Sequence, residues 1–104
     1  MHTYTYGFEG LDAYKLARTI AREVRRTSLP GHLEDQATRA ADSVALNIAE
    51  GHGRGMKTKA GKNHFRIARG SAGETFAVLD LADQRPDLRA KLQRLGVILN
   101  GMVR

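Results

Sequence analysis

A chain of 104 residues can bury one hydrophobic core but not a second, so a single domain over residues 1–104 is expected. Hydrophobic residues make up 41% and charged residues 27%, as in globular proteins, and no apolar run approaches the ~20 residues of a membrane span. The absence of cysteine excludes disulfides and thiolate metal sites, and the net charge of +6 favours a polyanionic partner, although solubility alone could account for it. The first six residues have neither the basic nor the apolar segment of a signal peptide, so we expect a cytoplasmic protein.

Two helices are predicted in the first half of the chain. The first covers residues 11–27, where apolar residues recur at helical spacing: Ala13, Leu16, Ala17, Ile20, Ala21 and Val24. Pro30 and Gly31 then mark a turn. The second covers residues 33–50, with an apolar stripe of Leu33, Ala37, Ala40, Ala41, Val44 and Ile48. Because residues 51–55 contain three glycines, this helix is predicted to end at Glu50 and to be followed by a flexible loop.

Two more helices are predicted in the second half. The third covers residues 59–84, with one face formed by Phe65, Ala68, Ala72, Phe76, Leu79 and Ala82 and widened by Ile67, Val78 and Leu81. Pro86 suits the first turn of a fourth helix, residues 87–102, in which Leu88, Leu92, Leu95, Leu99 and Met102 alternate four and three apart. No segment shows the two-residue alternation of a strand. The predicted fold class is therefore all-α, an antiparallel up-down four-helix bundle.

Small residues and unequal helix lengths favour self-association. Gly70 and Gly73 lie inside the third helix, where a glycine costs about 1 kcal/mol relative to alanine, so we expect another backbone to approach closely there. The third helix is also predicted to be about 15 Å longer than the fourth, at ~1.5 Å per residue. A second subunit is the simplest cover for its excess surface.

A polar line follows the second helix beside its apolar stripe. It consists of Gln36, Arg39, Ser43, Asn47 and Glu50, and the facing helix carries Ser71 and Glu74 one turn apart. The carboxylates of Glu50 and Glu74, near Arg39 and Arg54, could form an acid–base site. A structural network is favoured instead, because no nucleophile–base pair or metal spacing accompanies them and a half-buried polar line must be satisfied internally. The chain is therefore not expected to be an enzyme or to bind a cofactor.

Two segments resemble a known family. Residues 36–51, QATRAADSVALNIAEG, with Arg54 beyond them, and residues 67–74, IARGSAGE, are similar to the two motifs of the four-helix-bundle proteins encoded in intervening sequences of bacterial large-subunit ribosomal RNA. The opening Phe8-Glu9-Gly10-Leu11 fits the start of that family, so the resemblance covers nearly the whole chain. It implies an up-down bundle that assembles into a homopentameric ring, with no enzymatic activity. A relative, the accessory variability protein of diversity-generating retroelements, binds nucleic acid and a reverse transcriptase. The connection over residues 84–87 is shorter than in the usual family pattern, which could alter the outer surface or the stoichiometry of the ring.

The positive charge is concentrated between Glu50 and Glu74, where no acidic residue occurs. This segment contains six cationic residues: Arg54, Lys57, Lys59, Lys62, Arg66 and Arg69. The last four are spaced to share one helix face at the beginning of the third helix, where positive charge opposes the helix dipole. Helix stability does not explain that placement, so we expect these residues to bind the backbone of RNA or DNA. A second cluster near the end of the first helix consists of Arg18, Arg22, Arg25 and Arg26. The first three are included in the predicted site, although there the dipole favours cations.

Three alternatives complete the sequence interpretation. His52 and His64 flank the predicted loop, but their spacing matches no recognised metal-ligand pattern, so no metal is expected. No Phe or Tyr shares the face of the four spaced cations, since Phe65 belongs to the apolar face of the third helix, so base stacking is not expected. The positive charge could also be incidental to a scaffold that binds a protein partner through its small-residue faces.

Overall fold

The computed structural model describes residues 6–104, which form one short turn and four α-helices. A 3-10 turn, Gly7–Gly10, precedes α1 (Asp12–Val24), α2 (Leu33–Arg54), α3 (Lys59–Leu81) and α4 (Pro86–Met102). No strand occurs in this part of the chain, so the prediction of an all-α fold with four helices is confirmed. Over the same residues, no helix combines the length and apolar character needed to cross a bilayer. The expectation about export rests on the first six residues, of which 1–5 lie outside the described part.

The core is built from the apolar stripes that the sequence predicts. Buried members come from all four helices, with Ile20, Val44, Phe65 and Leu95 among the most completely enclosed. The leucine seam of α4 is buried at Leu88, Leu92, Leu95 and Leu99. The prediction was wrong for two residues of α3, because Ile67 and Leu81 face solvent instead of widening the core. They lie on the side of α3 turned away from its buried face.

Each helix packs against two others. Backbone contacts join α1 to α2, α2 to α3, α3 to α4 and α4 to α1, and the α2–α3 pair is the most extensive. Within residues 6–104, the pairs α1–α3 and α2–α4 make no comparable backbone contact. The four helices therefore surround one core in chain order.

The predicted end of α2 was wrong. The helix continues to Arg54, through two of the three glycines that were expected to form a loop. Gly51 is buried, and a methyl group there would overlap the Phe65 ring and lie 2.9 Å from the carbonyl oxygen of Gly61. This glycine is required by close helix packing, and the turn falls later, at Gly55 with φ 115°.

Helix lengths also differ from those expected. After Arg25 the backbone hydrogen bonds join residues three apart instead of four: the Arg26 N–H donates to the Glu23 carbonyl and the Thr27 N–H to the Val24 carbonyl. The α-helix α1 therefore ends before Thr27, the predicted end. α3 has 23 residues and α4 has 17, so α3 is longer by about 9 Å at ~1.5 Å per residue instead of the expected ~15 Å, and α2, with 22 residues, is nearly as long as α3. Gly70 and Gly73 are likewise not close-approach sites within this chain, because nothing lies within 4 Å of a β-carbon built on either.

Candidate nucleic-acid interface

The first turn of α3 is fixed against the end of α2. Thr58 caps the helix, because its hydroxyl oxygen accepts a hydrogen bond from the Gly61 N–H at 3.0 Å. Gly61 itself is buried, and a methyl group there would overlap the carbonyl oxygen of Gly55 and come within 2.8 Å of that of Gly51. The two helices are therefore held backbone to backbone at this end, and the residues that follow Gly61 project from a rigid support.

Four cationic residues then follow one face of α3. We call Lys59, Lys62, Arg66 and Arg69 the basic stripe; Lys62 is half-buried and the other three are exposed. Lys59 and Arg66 line an open groove of about 450 Å³ together with Ala60 and Asn63. Arg69 donates a hydrogen bond to the side-chain oxygen of Asn100 on α4, at 3.1 Å. The stripe thus combines positive charge with two neutral amides, Asn63 in the groove and Asn100 beside Arg69.

The ion pairs of the molecule lie elsewhere. Arg85 and Arg89, at the start of α4, are neutralised by carboxylates of α1, of the end of α3, of the connection that follows α3 and of α4 itself. Within the acid-free segment, Arg54 pairs with Glu50 at 3.1 Å. Over the described residues, no ion pair involves Lys57 or any member of the basic stripe.

The second predicted cluster is divided by its contacts. Arg25 forms two hydrogen bonds of 2.6 Å to the two carboxylate oxygens of Asp42, which raise the pKa of its guanidinium. Arg26 pairs with Glu23 at 2.8 Å. Arg18 instead lies over the ring of Tyr14, 5.7 Å from its centroid, and Arg22 is exposed without an ion pair in the described part of the chain. The structure therefore separates two arginines engaged by carboxylates from two that are not.

The polar line of α2 joins α3 through its middle members. The hydroxyls of Ser43 and Ser71 are 2.8 Å apart, and the Asn47 amide donates to both the carbonyl and the hydroxyl oxygen of Ser43. The Asn47 side-chain oxygen lies 3.0 Å from Nδ1 of His64. Because an amide oxygen can only accept, Nδ1 must carry the proton. Thr75 extends the chain of bonds by donating to the Ser71 carbonyl at 2.8 Å.

The outer members of the predicted line do not join this network. Arg39 pairs with Asp35 on its own helix at 3.0 Å, and its side chain is 80% exposed, so it does not connect the helices. Glu50 is also engaged within α2, by Arg54. At the other end, Gln36 reaches Glu74 of α3 through a longer bond of 3.4 Å. The expected arginine–glutamate–asparagine network is thus a serine–asparagine–histidine network.

Like Thr75, His64 is a member of the network that the sequence did not predict. It lies seven residues before Ser71, two helical turns away on the same face of α3, and this spacing could have identified it. His52 lies elsewhere, against the N-terminal turn, where a β-carbon on Gly7 would be 2.7 Å from its ring. Among residues 6–104, no three His, Asp or Glu side chains are grouped as a metal site would require.

Comparison with known proteins identifies the family of this chain. The model of the family described as 23S rRNA-intervening sequence protein matches residues 9–96, which include all of α1, α2 and α3 and most of α4. No curated protein and no solved structure matches the chain. Because the match covers most of the sequence, the chain belongs to the 23S rRNA-intervening sequence protein family.

Proposed function

We propose that this protein is a non-enzymatic, self-associating bundle that binds the phosphate backbone of nucleic acid through the basic stripe. The observation that carries the proposal is the contrast in charge pairing. The molecule neutralises the arginines at the start of α4 with carboxylates, whereas no carboxylate pairs with the basic stripe in the described residues. An unneutralised row of cations on a rigid helix attracts a polyanion and releases its counterions on binding.

The helix dipole strengthens this argument. Lys59 and Lys62 stand in the first turn of α3, where each cation costs a few tenths of a kcal/mol. Arg69 also contacts the part of α4 that carries no negative charge, because no acidic residue follows Asp87. These cations are therefore placed against the preference of the fold, as a binding surface would require.

Binding of this type is recognised by its salt dependence. We expect structured RNA or duplex DNA to bind at 50 mM salt and to lose affinity steeply by 200 mM. The double variant Lys62→Glu/Arg66→Glu should weaken duplex binding more than Arg18→Glu/Arg22→Glu, although both remove the same charge. No binding at low salt, or an affinity indifferent to salt, would refute the proposal.

We also propose an antiparallel up-down arrangement of the helices. As the residue number rises along α2, the residue number of its partner on α3 falls: Gln36 contacts Glu74, Ser43 contacts Ser71, and Asn47 contacts His64. Contacts between α3 and α4 follow the same rule, from Asp80 with Arg89 to Arg69 with Asn100. Connections of four residues between these helices also favour antiparallel neighbours.

Self-association is supported by an exposed seam on α3. Residues spaced alternately three and four apart all face solvent, and most are small or apolar: Ala60, Asn63, Ile67, Gly70, Glu74, Ala77 and Leu81. This is the spacing by which helices of separate chains interlock. Gly70 has open space around it, so a second copy could approach closely there. A ring of five, as the family resemblance implies, is part of this proposal.

The seam can be tested with a matched pair of variants. Leu81 is 78% exposed on the seam and Val97 is 72% exposed on α4, so neither contributes much to the core. We expect light scattering to find an oligomer for the wild type and for Val97→Asp, and a smaller species for Leu81→Asp, because the charge must be desolvated in the interface. A wild-type mass of 11.4 kDa, that of one chain, would contradict self-association.

One observation favours a second candidate, a scaffold that binds a protein. A groove of about 300 Å³ between α3 and α4 is lined by Ala72, Gly73, Phe76, Leu92 and Gly96, together with the polar side chains of Arg69, Gln93 and Asn100. Its mainly apolar lining suits a protein side chain better than a phosphate. This function would be favoured if a pull-down recovered a specific protein after nuclease treatment and if the purified chain showed no salt-sensitive binding of nucleic acid.

A further inference from the structure

Three aromatic rings and an arginine form a continuous stack beside the beginning of α1. The rings of Tyr6 and Phe8 are stacked with centroids 5.6 Å apart and planes 17° from parallel. Phe8 meets Tyr14 edge to face at 4.8 Å, and the guanidinium of Arg18 lies 5.7 Å from the Tyr14 centroid. We call these four residues the aromatic ladder. Its members all lie within residues 6–18 and come together because the N-terminal turn packs back on α1.

The outer end of the ladder is held in place. The backbone N–H of Tyr6 donates to the Glu9 carboxylate at 2.8 Å, and the Tyr6 carbonyl accepts from the Glu9 N–H at 3.1 Å. The turn itself packs against both α1 and α2, with Gly7 against the ring of His52. Tyr6 is therefore oriented before any ligand arrives, which lowers the entropy lost on binding.

The ladder has an exposed ring at one end and positive charge at the other. One face of Tyr6 is covered by Phe8, and 62% of the residue remains exposed in the described part of the chain. At the inner end, Arg18 is followed one turn later by Arg22, and neither forms an ion pair within the described chain. The nearby Glu9 carboxylate is already engaged by the Tyr6 N–H. An exposed ring at one end and unpaired cations at the other suit a strand of several nucleotides, in which bases and phosphates alternate along the length of the ladder.

We propose that Tyr6 stacks on an unpaired nucleobase while Arg18 and Arg22 contact the phosphates of the same strand. This inference rests on the proposed nucleic-acid binding and specifies a site on single-stranded RNA or DNA, separate from the basic stripe on α3. Every base has an aromatic face, so stacking tolerates any sequence but requires an unpaired base. Cationic ligands are disfavoured by the arginines, and a base in a duplex is covered by its neighbours.

The test compares single-stranded and duplex ligands. We expect Tyr6→Ala to weaken binding of a single-stranded RNA oligonucleotide about tenfold, the loss of one stacked base, and to leave duplex affinity unchanged. Tyr6→Phe retains the ring and should bind as the wild type does. A 2-aminopurine base in the oligonucleotide should lose fluorescence on binding to the wild type and to Tyr6→Phe but not to Tyr6→Ala. Single-stranded DNA should behave as the RNA does unless the ribose hydroxyl is read.

The possible failures are distinguishable. If Tyr6→Ala binds single strands as tightly as the wild type while Lys62→Glu/Arg66→Glu is weakened, the ladder is not a binding site and the proposed function stands. If the wild type binds neither single strands nor duplexes at low salt, the proposed function itself is wrong. Far-UV circular dichroism of Tyr6→Ala, with Val97→Ala as a control for loss of an exposed apolar side chain, would exclude unfolding as the cause.

Discussion

Two glycines show how single residues determine the support of the basic stripe. Gly51 and Gly61 face each other across α2 and α3, and neither position has space for a β-carbon. The sequence predicted the glycines of residues 51–55 as a loop, because glycine is most often read as a helix stop. Periodicity cannot distinguish a glycine required by packing from one required by a turn, so this part of the fold could not be predicted.

Gly61→Ala should lower the free energy of unfolding by about 2 kcal/mol, since overpacking costs about 1–3 kcal/mol and here the obstacle is backbone. Gly96→Ala is the control, because it lies inside α4 with nothing within 4 Å of a new methyl group. That variant should gain up to about 1 kcal/mol from helix propensity. Equal effects of the two substitutions in urea denaturation would contradict the close contact.

At the scale of elements, the connection from α3 to α4 is defined by hydrogen bonds rather than by glycine. Gln84 N–H reaches the Leu79 carbonyl at 2.9 Å and Asp83 N–H reaches the Asp80 carbonyl, the pattern that closes many helix ends. Asp83 and Arg85 adopt positive φ angles of 53° and 50°, which non-glycine residues rarely do. The sequence therefore placed the end of α3 at residue 84, three residues too late, because the usual glycine signal is absent.

Arg85 ties this connection to the end of α1. Its guanidinium donates to the Thr27 hydroxyl at 2.8 Å and to the carboxylates of Glu23 and Asp87 at 2.9–3.0 Å. These bonds lower the pKa of Asp87 to about 2, and bonds from Arg85 and then Arg26 lower that of Glu23. A side chain held by two helices explains how Arg85 is kept in a left-handed conformation.

The same contacts predict an acid dependence of stability. Because both carboxyl pKa values are below their ordinary values of 3.8 and 4.5, the stabilisation is complete above about pH 4.5 and is lost as the pH falls toward 2. We expect Arg85→Gln to flatten the fall in unfolding free energy across this range. Arg39→Gln, which removes a more exposed ion pair on α2, should follow the wild type more closely. Parallel curves for Arg85→Gln and the wild type would show that Arg85 does not hold these carboxylates.

For the whole molecule, local patterns and long-range contacts were not equally predictable. Helical periodicity was sufficient for the four helices and the leucine seam of α4, and the spacing of Lys59, Lys62, Arg66 and Arg69 was sufficient to place them on one face of α3. The aromatic ladder could not be predicted in the same way. Tyr6 and Phe8 belong to a turn whose packing against α1 depends on tertiary contacts, so no spacing in the sequence relates them to Arg18.

The central claim is that cations of the basic stripe contact phosphates. The most direct measurement is the slope of log affinity against log salt concentration for duplex binding, in the wild type and in Lys62→Glu/Arg66→Glu. Each lost phosphate contact reduces the magnitude of the slope by about 0.9, so we expect the double variant to bind more weakly with a slope smaller by about 2. Identical slopes and affinities for the two proteins would contradict the account.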